Sequence, residues 1–370
     1  MTQQDPRSAE LPSWTLVEPR LGLGRGHYDE LLRAIVSGLG VPGRAIGIVA
    51  TQAATPLLRA WTREIDSPRL ELAEASSIRA EIAAIRARSS LASERCLVAT
   101  ANGRHAALLS VLGGSRPRLE RTSLLFHWPV RRRTDRTLHA LAARARSACT
   151  ALATTDAIAD DLARLGWRRV VRIDYPVFAP PTPTRTEFSH VLMAGALRFN
   201  KGLAVLAQLV ERWSRRGAEI PLLLQASTKH ANRHGSREAP LLRRIEAAGY
   251  PHLREQAGGL GRDRYLANFR GAITLAAYEP ATFAGQVSGV ALDALMSGSP
   301  IVASEGTEPA KLVEEHGAGV VIPFGDAKAL DEAIEAILRD RDRFFAEARA
   351  AGAALAHRHD PSRLADVLGR

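Results

Sequence analysis

Residues 287–303 read Val287-Ser288-Gly289-Val290-Ala291-Leu292-Asp293-Ala294-Leu295-Met296-Ser297-Gly298-Ser299-Pro300-Ile301-Val302-Ala303. Ser288-Gly289 has the form of a helix start, and Leu292, Leu295 and Met296 give the next turns an apolar face. Gly298 ends the helix, Pro300 prevents its resumption, and Ile301-Val302-Ala303 makes a short buried strand. Turn, helix and strand in this order form the repeating unit of a parallel sheet covered by helices. A helix opened by Ser-Gly directs free N–H groups and a positive dipole end at whatever binds there, and phosphate suits such a place. An ordinary serine cap in an α/β domain has the same appearance, so other residues must decide its role.

The alternation continues outward on both sides. Towards the C-terminus, Val320–Pro323 predicts a strand, and Ala327–Leu338 and Phe344–Leu355 predict helices. Upstream lie strands at His190–Ala194, Pro221–Gln225 and Ala272–Ala276, and helices at Leu203–Arg215, Leu241–Ala248 and Arg264–Phe269. A polar, basic stretch over Thr228–Glu238 reads as a loop insertion. The first half repeats the pattern, with strands at 14–18, 45–50, 96–100 and 123–127, a helix over Thr137–Ser147 and a strand end at 148–154. Between the halves, Tyr175–Pro183 holds four prolines in nine residues, which neither a helix nor a central strand accommodates. The expected organisation is a disordered N-terminus (1–13), an α/β domain (14–178), a linker (179–187), a second α/β domain (188–345) and a helical tail (346–370). Both domains are read as doubly wound and Rossmann-like, with ligands at the carboxyl ends of the strands.

With 370 residues and 46% hydrophobic content, the chain is long enough for two domains with proper cores. No apolar run of membrane-spanning length occurs, and the polar start Met1–Pro6 lacks a signal design. Cys96 and Cys149 are the only cysteines, which excludes a disulfide framework and offers no metal spacing. The cytoplasm is the expected compartment. The net charge of +11 is uneven: residues 1–180 hold 26 of the 50 basic residues against 17 acidic ones. Anionic membrane headgroups, a charged substrate or nucleic acid are the partners such a half attracts. Arg131-Arg132-Arg133 is the one tight cluster, and it lacks the aromatic interleaving of single-strand nucleic-acid binders. Nearly uniform use of Arg over Lys also fits a codon bias.

Two further motifs give the second half its meaning. Gly195-Ala196-Leu197-Arg198-Phe199-Asn200-Lys201-Gly202 follows a predicted strand, and Gly317–Asp326 precedes a predicted helix. Together with Tyr278 and Ser288–Ala303, in this order and spacing, they resemble the nucleotide-sugar glycosyltransferases of GT-B architecture, in particular the retaining group called family 4. The resemblance is best over about 188–340. It implies two facing Rossmann-like domains and transfer of a hexose from a nucleotide-diphosphate sugar to a glycan, lipid-linked or small-molecule acceptor, with retention. It implies no cofactor and no metal, and no Asp-x-Asp run or His/Cys cluster occurs in the sequence.

A departing nucleoside diphosphate gains negative charge as the sugar–oxygen bond breaks, and positioned cations and N–H donors stabilise that charge. The resemblance assigns this work to Arg198 and Lys201, the latter one of only four lysines. It assigns donor binding to Gly195, Tyr278, Ser288, Gly289 and Val290 as well, and ribose binding to Asp293, where relatives carry Glu. His127, after Leu124-Leu125-Phe126, resembles the N-domain histidine that contacts the transferred sugar. Gly24-Arg25-Gly26-His27 resembles the glycine-rich first loop, so Gly24, Gly26 and His27 are expected on the acceptor side. Two departures stand out: Gly285 occupies the place of a first glutamate, with Glu279 six residues upstream, and Gln225 follows a strand that usually leads into glycine.

Alternatives remain at this level. A non-catalytic relative that binds a nucleotide-sugar fits Gly285 and Asp293. A sugar-nucleotide epimerase has the same build but needs acidic groups that the sequence does not locate. Peripheral contact of the basic half with an anionic membrane is a further option; nucleic acid is not expected.

Overall fold

A computed structural model describes residues 13–22, 28–39, 45–64, 69–88, 94–180, 187–226, 235–258 and 260–369. The chain divides into two compact units, Met1–Phe178 with His359–Arg370, and Ala179–Arg358. The expected disordered N-terminus, most of the linker and the Thr228–Glu238 insertion up to residue 234 lie outside the described residues.

The first unit is built on seven parallel strands: β1 (Ser13–Val17), β2 (Ala45–Ala50), β3 (Arg69–Glu74), β4 (Glu94–Val98), β5 (Thr122–Phe126), β6 (Thr150–Ala153) and β7 (Val170–Arg172). Their order is β3-β2-β1-β4-β5-β6-β7. The second unit has six parallel strands: β8 (His190–Met193), β9 (Leu222–Ala226), β10 (Leu253–Ala257), β11 (Ala272–Ala276), β12 (Ile301–Ser304) and β13 (Gly319–Ile322), in the order β10-β9-β8-β11-β12-β13. The central strands are buried on both faces, which is why they read as continuous apolar runs. In each sheet the order reverses once, between β1 and β4 and between β8 and β11. A crevice opens beyond the carboxyl ends of the strands at such a switch point.

The sequence reading misses β3, β7 and β10. All three are edge strands. With one side unpaired, they carry polar and charged residues such as Glu71, Arg172 and Glu255, and their pattern is not that of a buried run. The single helix expected over Thr137–Ser147 is two, Arg133–Ala140 and Ala143–Ala148. Ser110 causes the break: its hydroxyl accepts from Ala145 N at 2.9 Å, and its carbonyl accepts from Arg144 at 3.0 Å. These bonds turn the second helix onto Gly103–Leu112.

In the second unit, helix Leu203–Arg216 inserts Leu206, Leu209, Val210 and Trp213 into the core. The Trp213 indole donates to Asp331 at 2.7 Å, and Arg216 meets the same carboxylate at 2.8 Å. Asp331 is buried, and these donors offset its desolvation. The region read as a helical tail is shared between the units. Arg341–Arg358 packs on Gly289–Met296, whereas Pro361–Gly369 packs on Tyr28–Leu39 of the first unit. Leu364 and Leu368 are buried there. Beside them His359 Nδ1 donates to the Tyr175 carbonyl at 2.8 Å, and Val177 N donates to the His359 carbonyl at 3.1 Å.

Candidate active site at the strand ends

The loop after β8 begins at Gly195, whose φ of +87° lies in the left-handed region, and whose N–H donates to Gln225 Oε1 at 3.3 Å. Gln225 follows the β9 core residues, so the departure noted at this position ties the loop to the neighbouring strand. A 3-10 turn over Phe199–Lys201 then brings the chain round. Phe199 N donates to Glu238 at 3.0 Å, and Lys201 N to the Arg198 carbonyl at 3.0 Å. Gly202 closes the turn at φ +88°, and a Cβ there would run into the Ala277 carbonyl. Only glycine lets the loop lie so close to the segment after β11. Glu279 N donates to the Asn200 carbonyl at 2.9 Å and fixes that contact.

This docking aims Lys201 across the switch point. Its Nζ lies 5.3 Å from the centroid of the Tyr278 ring. It is also 3.4 Å from the point where a Cβ on Gly195 would stand, and Val290 Cγ2 is 3.7 Å from that same point. Gly195, Lys201, Tyr278 and Val290 therefore converge. Ser288 caps the helix Gly289–Met296 by accepting from Ala291 N at 3.2 Å. Burial pushes the Tyr278 hydroxyl up to about 12, opposed by the Ser288 side chain beside it. Burial, reinforced by the Arg198 charge, brings Lys201 down to about 8. Lys201 and Arg198 thus lie close together in a buried loop, where their like charges disfavour each other.

Asp293 is 5% exposed and faces Arg262 rather than solvent. The guanidinium donates to both its oxygens, Nη1 to Oδ2 at 3.0 Å and Nη2 to Oδ1 at 2.6 Å. Burial pushes the Asp293 carboxyl above the usual range, and Arg262 and Tyr265 pull it back. Arg262 is a site residue that the sequence reading missed. Its helix, Arg262–Ala267, begins two residues before the expected start. Gly285 has φ +71°, a turn that a glutamate would strain, whereas Glu279 sits against the Asn200 backbone and accepts from Thr282 Oγ1 at 2.5 Å.

In the first unit His127 follows β5. It is 4% exposed, its Nε2 donates to the Ala99 carbonyl at 2.7 Å, and its ring stands edge-on to Trp128 and Tyr175. Glu18, at the end of β1, is a second missed group. It is fully buried and accepts from Thr100 Oγ1 at 2.6 Å and from Arg20 N at 3.1 Å. Burial raises its carboxyl to about 7. Gly24, Gly26 and His27 lie outside the described residues. Among the described residues no group of three or more His, Cys, Asp or Glu could hold a metal ion, and no helix is long and apolar enough to cross a membrane.

Residues 179–353 match the family model of glycosyl transferases group 1. No curated protein sequence matches the chain. Among solved structures, HepE of Anabaena in complex with UDP superposes with a TM-score of 0.71 at 15% identity, covering 96% of this chain and 99% of that one. A glycosyltransferase from Rickettsia africae gives a TM-score of 0.71 at 12% identity, over 97% and 98% of the two chains. The trehalose-6-phosphate synthase OtsA gives 0.63 at 12%, over 97% and 99%. With a glycosyl transferases group 1 match in its second unit and a fold shared with these glycosyltransferases over nearly its whole length, this chain has the GT-B architecture.

Proposed function

We propose that this protein is a nucleotide-sugar glycosyltransferase that moves a hexose from a nucleotide-diphosphate donor to a glycan, lipid-linked or small-molecule acceptor, with retention of configuration. The observation that carries this reading is the position of the Lys201 ammonium, against Gly195 and Val290 and over Tyr278, at the β8/β11 switch point. HepE was solved with UDP and with UDP-glucose, which supports a uridine nucleotide as the first donor to try.

In this reading the diphosphate sits between the Arg198–Lys201 loop and the start of helix Gly289–Met296. The bond from the anomeric carbon to the phosphate oxygen breaks, and the leaving diphosphate gains charge that Lys201 and Arg198 stabilise. Ser288, Gly289 and Val290 add backbone donors from the helix start. Asp293, oriented by Arg262, takes the ribose end. His127 is assigned to a hydroxyl of the sugar, and Gly24, Gly26 and His27 to the acceptor side. No cofactor or metal enters the scheme. The working location is the cytoplasm, with peripheral contact at an anionic membrane face as an extension of the basic first unit.

The test is a donor screen. UDP-, GDP- and ADP-sugars are compared by thermal shift, since a fitting ligand stabilises by mass action. Nucleoside diphosphate release is then measured with and without added acceptors. Stabilisation by one donor series with acceptor-dependent release supports the proposal; no stabilisation by any donor refutes it. Binding without release would favour a non-catalytic nucleotide-sugar binder. That second reading has one observation in its favour, the engagement of both Asp293 oxygens by Arg262.

A further inference from the structure

We propose that Arg104, Arg132 and Arg133 form a binding site for a phosphate group carried by the acceptor. This inference rests on the glycosyltransferase reading for the word acceptor, but not for the site itself.

The three residues come together through the fold. β4 and β5 are neighbours, and each is followed at its carboxyl end by a helix, Gly103–Leu112 and Arg133–Ala140. The two helix starts touch: Gly103 N donates to Asp135 Oδ1 at 3.0 Å. The two helix starts, one bearing Arg104 and the other Arg132 and Arg133, therefore adjoin on the sheet edge that also bears His127, and all three arginines are exposed. Ligands of doubly wound sheets bind at this edge.

Elsewhere in the first unit Arg116, Arg164 and Arg172 each meet a carboxylate within 4 Å. Among the described residues Arg104, Arg132 and Arg133 meet none. Of the nearby carboxylates, Asp161 pairs with Arg164 and accepts from Val130 N, and Asp135 accepts from Gly103 N while keeping its charge. Arg136 of the same segment donates to the Val130 carbonyl at 3.3 Å. Guanidinium groups are the side chains best suited to donate in pairs to phosphate oxygens.

The occupant is a phosphate group rather than a membrane surface. Membrane docking favours cations and apolar side chains on one face. Here the exposed apolar residues Val111, Leu112 and Leu141 lie at the opposite ends of the same two helices, about 10–14 Å from the arginines at 1.5 Å per residue.

The test uses inorganic phosphate as probe, read through the Nε–Hε resonances of labelled arginine. Four proteins are titrated: wild type, Arg132→Ala/Arg133→Ala, Arg132→Lys/Arg133→Lys and Lys201→Ala. The expected result is a saturable shift in wild type, kept in Lys201→Ala, weakened about 10-fold or more in the double alanine variant and largely retained in the lysine variant. Added salt weakens it. Equal phosphate affinity in wild type and the double alanine variant overturns the proposal. So does loss in Lys201→Ala alone, which would assign the anion to the nucleotide site. Should the alanine variant fail to fold, an undiminished shift at the other sites combined with none at Arg104, Arg132 or Arg133 in wild type overturns it equally. In a parallel arm, phosphatidylglycerol vesicles that sediment wild type without any phosphate affinity would assign the cluster to a lipid surface and refute the proposal. Failure of the glycosyltransferase reading appears separately, as absence of donor binding in the thermal-shift screen.

Discussion

The Lys201 ammonium faces the Tyr278 ring at 5.3 Å, with Arg198 on the same short turn. The ring face favours the ammonium, whereas burial and the Arg198 charge disfavour it. Replacing Lys201 with alanine is expected to lower turnover about 10²-fold or more, as for other electrostatic contacts to a leaving group. The melting temperature should not fall, because the variant also removes a desolvated charge. Ser288→Ala is expected to be milder, since the backbone donors of the helix start remain. Steady-state kinetics alongside thermal melting check both statements.

The lowered Lys201 value fixes a pH window. The folded protein gives up the Lys201 proton near pH 8, whereas the unfolded chain keeps it to about 10.5. Between these values the unfolded state binds more protons, so the Lys201 contribution raises stability as pH increases through the window. Ligand binding runs the other way: affinity for a nucleoside diphosphate should fall as pH rises through about 8. In Lys201→Met both trends should flatten. Calorimetric titrations and denaturant melts between pH 6.5 and 10 measure them.

Arg262→Ala leaves Asp293 buried without its guanidinium. Breaking such a pair costs about 3 kcal/mol, and the expected readout is a urea midpoint shifted down accordingly. Replacing both members with apolar residues, as in Arg262→Met/Asp293→Leu, should recover much of the stability but not donor affinity. A single variant as stable as wild type would show that the pair contributes little.

Glu18 gives the first unit a pH response of its own. Its carboxyl is raised from an ordinary 4.5 to about 7 in the folded state, mainly by burial. From pH 4.5 to 7 the folded state therefore binds more protons, and the Glu18 contribution to stability declines as pH rises through that interval. Glu18→Gln keeps the shape and removes the titration, so the difference between its stability profile and that of wild type isolates the effect. A flat difference across the interval would contradict this account.

How far the sequence discloses the molecule depends on where each element sits in the sheet. The inner strands and the apolar edge strand β13 are legible as apolar runs between turn residues, while the edge strands β3 and β10 carry too many polar side chains to be seen. Lys201 is legible because loop motif and helix start are each continuous in sequence. Arg262 is not, because it reaches Asp293 across 31 positions and no local pattern announces the partner. Glu18 is hidden for a related reason: its burial comes from Thr100 and from the loop after β1, 82 and 2 positions away.

The helix Pro361–Gly369 completes the first unit only after the whole of Ala179–Arg358 has been synthesised. During translation the N-terminal sheet must wait, with the docking surface of Tyr28–Leu39 bare, while the second unit emerges and closes on itself. A stop codon after Arg358 would make that waiting state permanent. It would spare the second unit and expose apolar surface on the first, leaving a nascent-like species that chaperones should recognise.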